Sequence, residues 1–128
     1  MSDYKWIDRA GALAAHTEQL AQHGGPEGVR DNGALESALA RPLNLGVYGE
    51  PDAAALAAAY AFGIARNHPF VDGNKRTAAV VSVGFLFLNG FGFRAIEADL
   101  ALTFQALAAG ELGEEQMADW FRQHIVPA

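Results

Sequence analysis

Apolar residues recur every three to four positions along most of the chain, which is the spacing of one face of an α-helix. This spacing predicts an amphipathic helix over residues 6–22. Residues 53–67, and most of the segment 74–89, are apolar nearly all round, which predicts two central, buried helices. Further helices are predicted over residues 33–41, 99–109 and 114–125. The pattern therefore predicts an all-α protein, a compact bundle of about six helices.

Residues that favour or break helices predict where several of these helices begin and end. Asp52 and Asp99 are predicted to cap helix starts, because a carboxylate there accepts a backbone N–H. Gly110 is predicted to close the fifth helix, and residues 90–92 are predicted to form a turn. Pro42 is predicted to stop the second helix, since proline lacks an N–H donor.

The segment between Pro42 and Pro51 has a different pattern. Leu43, Leu45 and Val47 alternate with other residues, and a period of two is typical of a strand. Ten residues are few for a stable hairpin, so the alternation predicts a short extended flap.

Composition narrows the class of protein. The chain has 128 residues, enough for one domain spanning residues 1–128, and its 51% hydrophobic content is typical of a globular fold. It contains no cysteine, which excludes disulfides and thiolate metal sites. The N-terminus lacks the basic start and apolar run of a signal peptide, and no apolar run reaches the roughly 20 residues of a membrane helix. We therefore expect a cytoplasmic protein without a membrane partner.

Charge bears on the kind of ligand. The net charge is -6 and the pI about 5.0, whereas a protein that binds nucleic acid non-specifically needs a basic surface. Lys75 and Arg76 are the one pair of adjacent cations in the sequence. The positive charge is therefore local, which suits a nucleotide better than a polymer.

Candidate chemistry is concentrated in residues 68–77, here called the motif loop, between the two central helices. Cations at a helix start oppose the helix dipole and cost about 0.3–1 kcal/mol each. Lys75 and Arg76 at the start of the second central helix therefore indicate a bound anion. Backbone N–H groups at a helix start, with Gly73 just before them, already form an anion site, and phosphate is the expected guest.

Each polar residue of the motif loop has a role in phosphate chemistry. Asp72 can hold Mg²⁺, which prefers one or two carboxylates together with phosphate oxygens. Asn74, Lys75 and Arg76 can hold phosphoryl oxygens. His68 can accept a proton near neutral pH and is the candidate general base.

Taken singly, these residues also have ordinary interpretations: a loop histidine, a turn and two solvated cations. Their occurrence together just before the most apolar helix favours a site for phosphoryl transfer. The remaining histidines do not cluster in the sequence and are predicted to be structural or solvated. They are His16, His23 and His124.

The motif loop, with the sequence HPFVDGNKR at residues 68–76, resembles the signature of the Fic/Doc superfamily, in particular its death-on-curing (Doc) branch. The resemblance extends to other short stretches of the chain: GGP at residues 24–26, RD at 30–31, LESALARP at 35–42, NG at 89–90, ADL at 98–100 and AGEL at 109–112. Nearly the whole chain is covered. The resemblance implies a compact all-α Fic fold and transfer of part of ATP onto a protein hydroxyl.

Roles for individual residues follow from the resemblance. It implies that His68 deprotonates the target side chain, that Asp72 holds Mg²⁺, and that the residues from Gly73 to Arg76 contact phosphates. It also implies that the flap carrying Leu43, Leu45 and Val47 holds an extended target peptide, which would work by strand addition.

The Doc branch implies a toxin of a toxin–antitoxin module. Such toxins arrest translation by phosphorylating a threonine of elongation factor Tu, and a Phd-like antitoxin blocks them in trans. Nucleotidyl-transferring Fic proteins have Gly-Asn-Gly-Arg in the motif, whereas Lys75 occupies the place of the second glycine, as in Doc. Pro69 and Gly73 are Fic-like, so AMP transfer is the alternative reaction. A non-catalytic domain that binds a nucleotide or partner is the third hypothesis.

Overall fold

The computed structural model describes residues 3–127 and arranges them in six helices and two short strands. The helices are α1 (Arg9–His23), α2 (Asn32–Tyr48), α3 (Ala53–Asn67), α4 (Asn74–Leu88), α5 (Glu97–Ala108) and α6 (Glu114–His124). The strands are β1 (Phe91–Phe93) and β2 (Ile125–Pro127). The prediction of an all-α fold of about six helices is confirmed.

Helix α3 is the centre of the molecule, as its sequence predicted. Eleven of its fifteen residues are buried, and it packs against α2, α4, α5 and α6. Its small side chains allow close approach, so that a Cβ added to Gly63 would lie 2.9 Å from Ala38 Cα of α2. The predicted cap is also confirmed, because Asp52 Oδ1 accepts a hydrogen bond from the Ala55 N–H at 2.9 Å.

Helix α4 is buried on one face only. Thr77, Val81 and Phe85 are buried on the side that packs against α3 and α1, whereas Val80 and Phe87 are exposed. The bounds agree with the predicted segment 74–89, but the predicted complete burial is wrong. No helix within residues 3–127 has both the length and the apolar character needed to cross a membrane.

Helix α2 continues six residues beyond the predicted stop at Pro42. The extended flap predicted over Leu43, Leu45 and Val47 is therefore wrong, because all three residues are helical. Pro42 is buried inside the helix, and this packing offsets its missing hydrogen bond. The alternation was misleading since the apolar side chains after Pro42 do not share a buried face; they are exposed, Val47 to 74%.

The C-terminal part departs from the sequence prediction in two places. Phe91–Phe93 pairs antiparallel with Ile125–Pro127, so the predicted turn is confined to Gly90, whose φ is 85°. Helix α5 begins at Glu97 with Ile96 at the cap position, so the predicted cap by Asp99 is wrong. Asp99 lies in the first turn, where its carboxylate accepts the Trp120 indole N–H at 3.2 Å.

Candidate active site

The motif loop joins the end of α3 to the start of α4 through two residues in the left-handed region. His68 has φ 48° and ψ 58°, and Gly73 has φ 76°. Among residues 3–127, His68 is the only non-glycine residue with positive φ. A residue before proline ordinarily takes the extended region, so this conformation is strained. The predicted end of α3 at residue 67 is confirmed, but the left-handed conformation of His68 was not predicted.

The segment before α2 runs beside the loop and holds its backbone. The Arg30 and Asp31 N–H groups donate to the Pro69 carbonyl at 2.7 and 3.1 Å, and the Val71 N–H donates to Gly28 at 3.0 Å. The Arg30 side chain adds two bonds, from Nε to the His68 carbonyl at 2.7 Å and from Nη2 to the Asn67 carbonyl at 2.8 Å. This contact between Arg30 and the end of α3 was not predicted from the sequence.

His16 supports the loop from the opposite element, α1. Its ring is buried and stacks on Phe70 with a centroid distance of 3.9 Å and an interplanar angle of 8°. Its Nε2 lies 2.8 Å from the Asp72 carbonyl oxygen, so this nitrogen carries the proton and donates it. His16 was predicted to be structural or solvated, and it is structural. Its contacts are with Phe70 and Asp72 of the motif loop. His23 is exposed, and the ring of His124 bonds to the Trp120 carbonyl. Both residues lie outside the motif loop in the sequence.

The Asn74 side chain bonds to the backbone of Phe70 within the same loop. Its Oδ1 accepts from the Phe70 N–H at 2.9 Å, and its Nδ2 donates to the Phe70 carbonyl at 3.0 Å. Phe70 is fully buried, so the loop is anchored to the core at this point. The predicted phosphate contact of Asn74 stays a prediction, and in this arrangement its backbone N–H is the group available for it.

The start of α4 is open to an anion. No side chain caps it, and the first N–H groups of a helix have no partner inside the helix. Lys75 and Arg76 are exposed, and neither forms an ion pair within residues 3–127. Positive charge from the helix end and from two cations is therefore concentrated in the motif loop, which also carries the exposed His68.

The donor set suits a metal ion that is shared with a phosphate. Asp72 is exposed, and its Oδ1 accepts the Gly73 N–H at 2.8 Å. Within residues 3–127 there is no group of three or more His, Cys, Asp or Glu side chains that could hold a metal. Mg²⁺ is commonly bound by one or two carboxylates together with substrate phosphates, and a single carboxylate beside an anion site fits this mode.

Leu43, Leu45 and Val47, the three residues of the predicted flap, lie on the last turns of α2. Helix α3 separates them from the motif loop in the chain. Leu45 lines a groove with Arg41, Ala55 and Glu114, and no residue of the motif loop lines that groove. His68, Asp72 and the first residues of α4 are thus exposed members of one ten-residue loop, whereas the apolar residues after Pro42 are exposed on α2.

Comparisons with known proteins agree with the family resemblance of the sequence. Residues 6–86, more than half of the chain, match the Fic/DOC family. The chain is 42% identical to the protein named Toxin Doc of Mycolicibacterium smegmatis over 88 residues, which cover 67% of this chain and 65% of that toxin. It is 32% identical to the protein named Protein kinase doc of Escherichia phage P1 over 113 residues, which cover 87% of this chain and 88% of that kinase. The match thus spans just under two thirds of the mycobacterial protein and most of the phage protein.

Proposed function

This chain belongs to the Fic/DOC family, and from that premise we propose that it is a Doc-like toxin that transfers the γ-phosphate of ATP to a protein hydroxyl. We propose a translation factor similar to elongation factor Tu as the target, and we expect its phosphorylation to arrest growth. The names of two relatives support a toxin and a protein kinase. The observation that carries the proposal is that the exposed His68 and the uncapped, cationic start of α4 belong to the same ten-residue loop.

The proposed reaction uses the chain's own groups as follows. Phosphates of ATP bind to the first N–H groups of α4 and to Lys75 and Arg76. Mg²⁺ held between Asp72 and these phosphates would neutralise part of their charge. His68 accepts the proton of a Ser or Thr hydroxyl, whose oxygen attacks the γ-phosphorus. The bond from the γ-phosphorus to the β–γ bridging oxygen breaks and ADP leaves.

Lys75 bears on the choice of reaction. It stands where nucleotidyl-transferring members of the family have glycine, and its side chain adds bulk and charge beside the phosphates. That favours a nucleotide oriented with its γ-phosphate at His68. Pro69 and Gly73 match the nucleotidyl-transferring branch, so transfer of AMP is the second candidate function.

Position-specific labels separate the candidates. The protein is incubated with elongation factor Tu, Mg²⁺ and ATP labelled at either the α- or the γ-phosphate. We expect label on the target from the γ position only, no label with His68→Ala, and unchanged label with His23→Ala, an exposed histidine outside the motif loop. Label from the α position alone would overturn the kinase in favour of AMP transfer. Growth arrest that survives His68→Ala would overturn catalysis in favour of a non-catalytic regulator.

We propose two protein contacts besides the reaction. A Phd-like antitoxin inhibits the toxin in trans, and its co-expression is expected to restore growth.

The exposed side chains of Leu43, Leu45 and Val47 contact the protein target from the helical end of α2. Replacing these three residues by serine is expected to raise KM for the protein target and to leave KM for ATP unchanged.

A further inference from the structure

Arg30 caps the end of α3 at the residue that would act as the base. Its Nε donates to the His68 carbonyl at 2.7 Å and its Nη2 to the Asn67 carbonyl at 2.8 Å. The last carbonyls of a helix lack partners inside the helix, and a cation is favoured at that end. We propose that Arg30 is a positioning residue that holds the His68 backbone, and through it the imidazole, in the reactive conformation.

His68 needs such a restraint because its conformation is unfavourable. It has a Cβ and precedes Pro69, yet its φ is 48° and its ψ 58°. Relaxation to the extended region would move ψ to about +120 to +160° and would rotate the His68 carbonyl away from Arg30. It would also redirect the Cα–Cβ bond relative to the loop. The hydrogen bond from Arg30 Nε is made in the left-handed state. Because that rotation would break it, the guanidinium favours this state.

The side chain of Arg30 can be tested separately from the local fold. The contacts that hold Pro69 come from backbone N–H groups of Arg30 and Asp31, and a substitution leaves them in place. Arg30 is exposed, and within residues 3–127 it forms no ion pair, so its removal strands no carboxylate. The two carbonyls of the α3 end are therefore the groups that a substitution affects.

This inference rests on the proposed function, since it assigns His68 as the base. Arg30→Met is expected to lower kcat about ten- to a hundred-fold, because small displacements of a catalytic group have effects of that size. KM for ATP should stay within about twofold, since the phosphate groups of the site are untouched. Arg30→Lys should recover part of kcat, because an ammonium can donate to one of the two carbonyls.

Two controls distinguish positioning from general damage. Arg66→Met removes a cation from the same helix end, where the guanidinium lies 5.0 Å from the Phe62 ring, and should leave kcat unchanged. Circular dichroism is the second control, and Arg30→Met should keep the helical content of the wild type because the backbone contacts to Pro69 remain. If Arg30→Met does not fold, Arg30→Gln keeps one donor and takes its place.

A second measurement decides the inference without any reaction. The ¹³Cα and ¹³Cβ chemical shifts of His68 report positive φ in the wild type, and Arg30→Met should move them towards extended values while Arg66→Met does not. Unchanged shifts in Arg30→Met, or a rise in KM for ATP with kcat retained, would overturn the role of Arg30. A wild-type protein without transfer activity would overturn the proposed function alone, and the chemical shifts would still decide Arg30.

Discussion

His16 is a buried side chain on α1 that contacts Asp72, the proposed ligand of Mg²⁺. It donates to the Asp72 carbonyl at 2.8 Å and stacks on Phe70. His16→Phe keeps an aromatic ring of similar size but removes the donor. We expect a loss of about 0.5–1.5 kcal/mol in the free energy of unfolding, the net contribution of a typical hydrogen bond, because this bond is only partly buried. Transfer should also need more Mg²⁺, because Asp72 loses its anchor. Urea unfolding and an Mg²⁺ titration measure the two effects.

The matched control for His16 is His23→Phe in the same helix. His23 is exposed, so both quantities should equal those of the wild type. A His16→Phe protein with unchanged stability and unchanged Mg²⁺ dependence would contradict the assignment.

Gly25 leaves room for the Asp72 carboxylate. A Cβ added to it would lie 2.6 Å from Asp72 Oδ2, and its φ is 119°. Gly25→Ala should therefore displace the carboxylate and raise the Mg²⁺ concentration for half-maximal transfer. Gly24→Ala is the control, because Gly24 also has positive φ, 77°, but a Cβ there meets nothing within 4 Å. Both variants should lose stability, and only Gly25→Ala should shift the Mg²⁺ titration; equal shifts would contradict a contact with Asp72.

The sequence reveals the candidate site residues more readily than the side chains that support them. His68, Asp72, Lys75 and Arg76 lie within nine consecutive residues, so the local sequence alone reveals that they occur together. The bond from His16 to Asp72 spans 56 residues, and the bond from Arg30 to His68 spans 38. No local pattern marks such pairs, because both side chains also have ordinary explanations on their own elements.

At the scale of helices, prediction succeeded where the local pattern agreed with burial. Helix α3 is apolar on every side and lies at the centre, so periodicity and cap gave its bounds. The predicted end of α2 was wrong. Proline in a helix interior costs about 3 kcal/mol, and this cost, considered alone, predicts that the helix stops at Pro42. Pro42 is buried, and its packing outweighs that cost. Burial depends on the other helices, and a local pattern does not contain it.

The contact between α2 and α3 depends on the absence of a side chain at Gly63. A Cβ there would lie 2.9 Å from Ala38 Cα and 3.3 Å from the Ala38 carbonyl oxygen. Gly63→Ala should therefore destabilise the protein by about 1–3 kcal/mol, the usual cost of overpacking. Thermal unfolding followed by circular dichroism measures the difference.

Gly84→Ala is the matched substitution in the interior of α4. A Cβ there meets only Ile7 Cδ1 at 3.8 Å, an ordinary contact. Alanine is a better helix former than glycine by about 0.5–1 kcal/mol, so this variant should be more stable than the wild type. A Gly63→Ala protein as stable as Gly84→Ala would mean that the two helices are less closely packed than described.

At the scale of the whole molecule, charge is distributed in a way that suits the proposed ligand. The chain carries a net charge of -6, yet the start of α4 presents two cations without ion pairs among residues 3–127. An acidic body with a local cationic site disfavours nucleic acid and favours a small anion bound at one place.

Ion pairs also join helices that are distant in the sequence. One of these pairs should make the stability of the protein depend on pH in acid. Arg122 of α6 donates to both carboxylate oxygens of Asp52, at 2.7 and 3.0 Å, and Asp52 also caps α3. The hydrogen bond from Arg122 lowers the pKa of Asp52 below its ordinary value of 3.8. A lowered folded-state pKa contributes stability above the unfolded pKa, and this contribution is lost as the pH falls through the folded value.

The free energy of unfolding should therefore decrease below pH 3.8, and this decrease should be smaller in Arg122→Met. It should not vanish, because the Ala55 N–H still bonds to Asp52. Urea unfolding from about pH 6 to about pH 2 measures the difference. Arg9→Met is the control, since it removes an exposed pair with Glu36 at 3.7 Å and should leave the acid dependence unchanged. Equal acid dependence of the wild type and Arg122→Met would mean that the pair of Asp52 and Arg122 does not join α3 and α6 in solution.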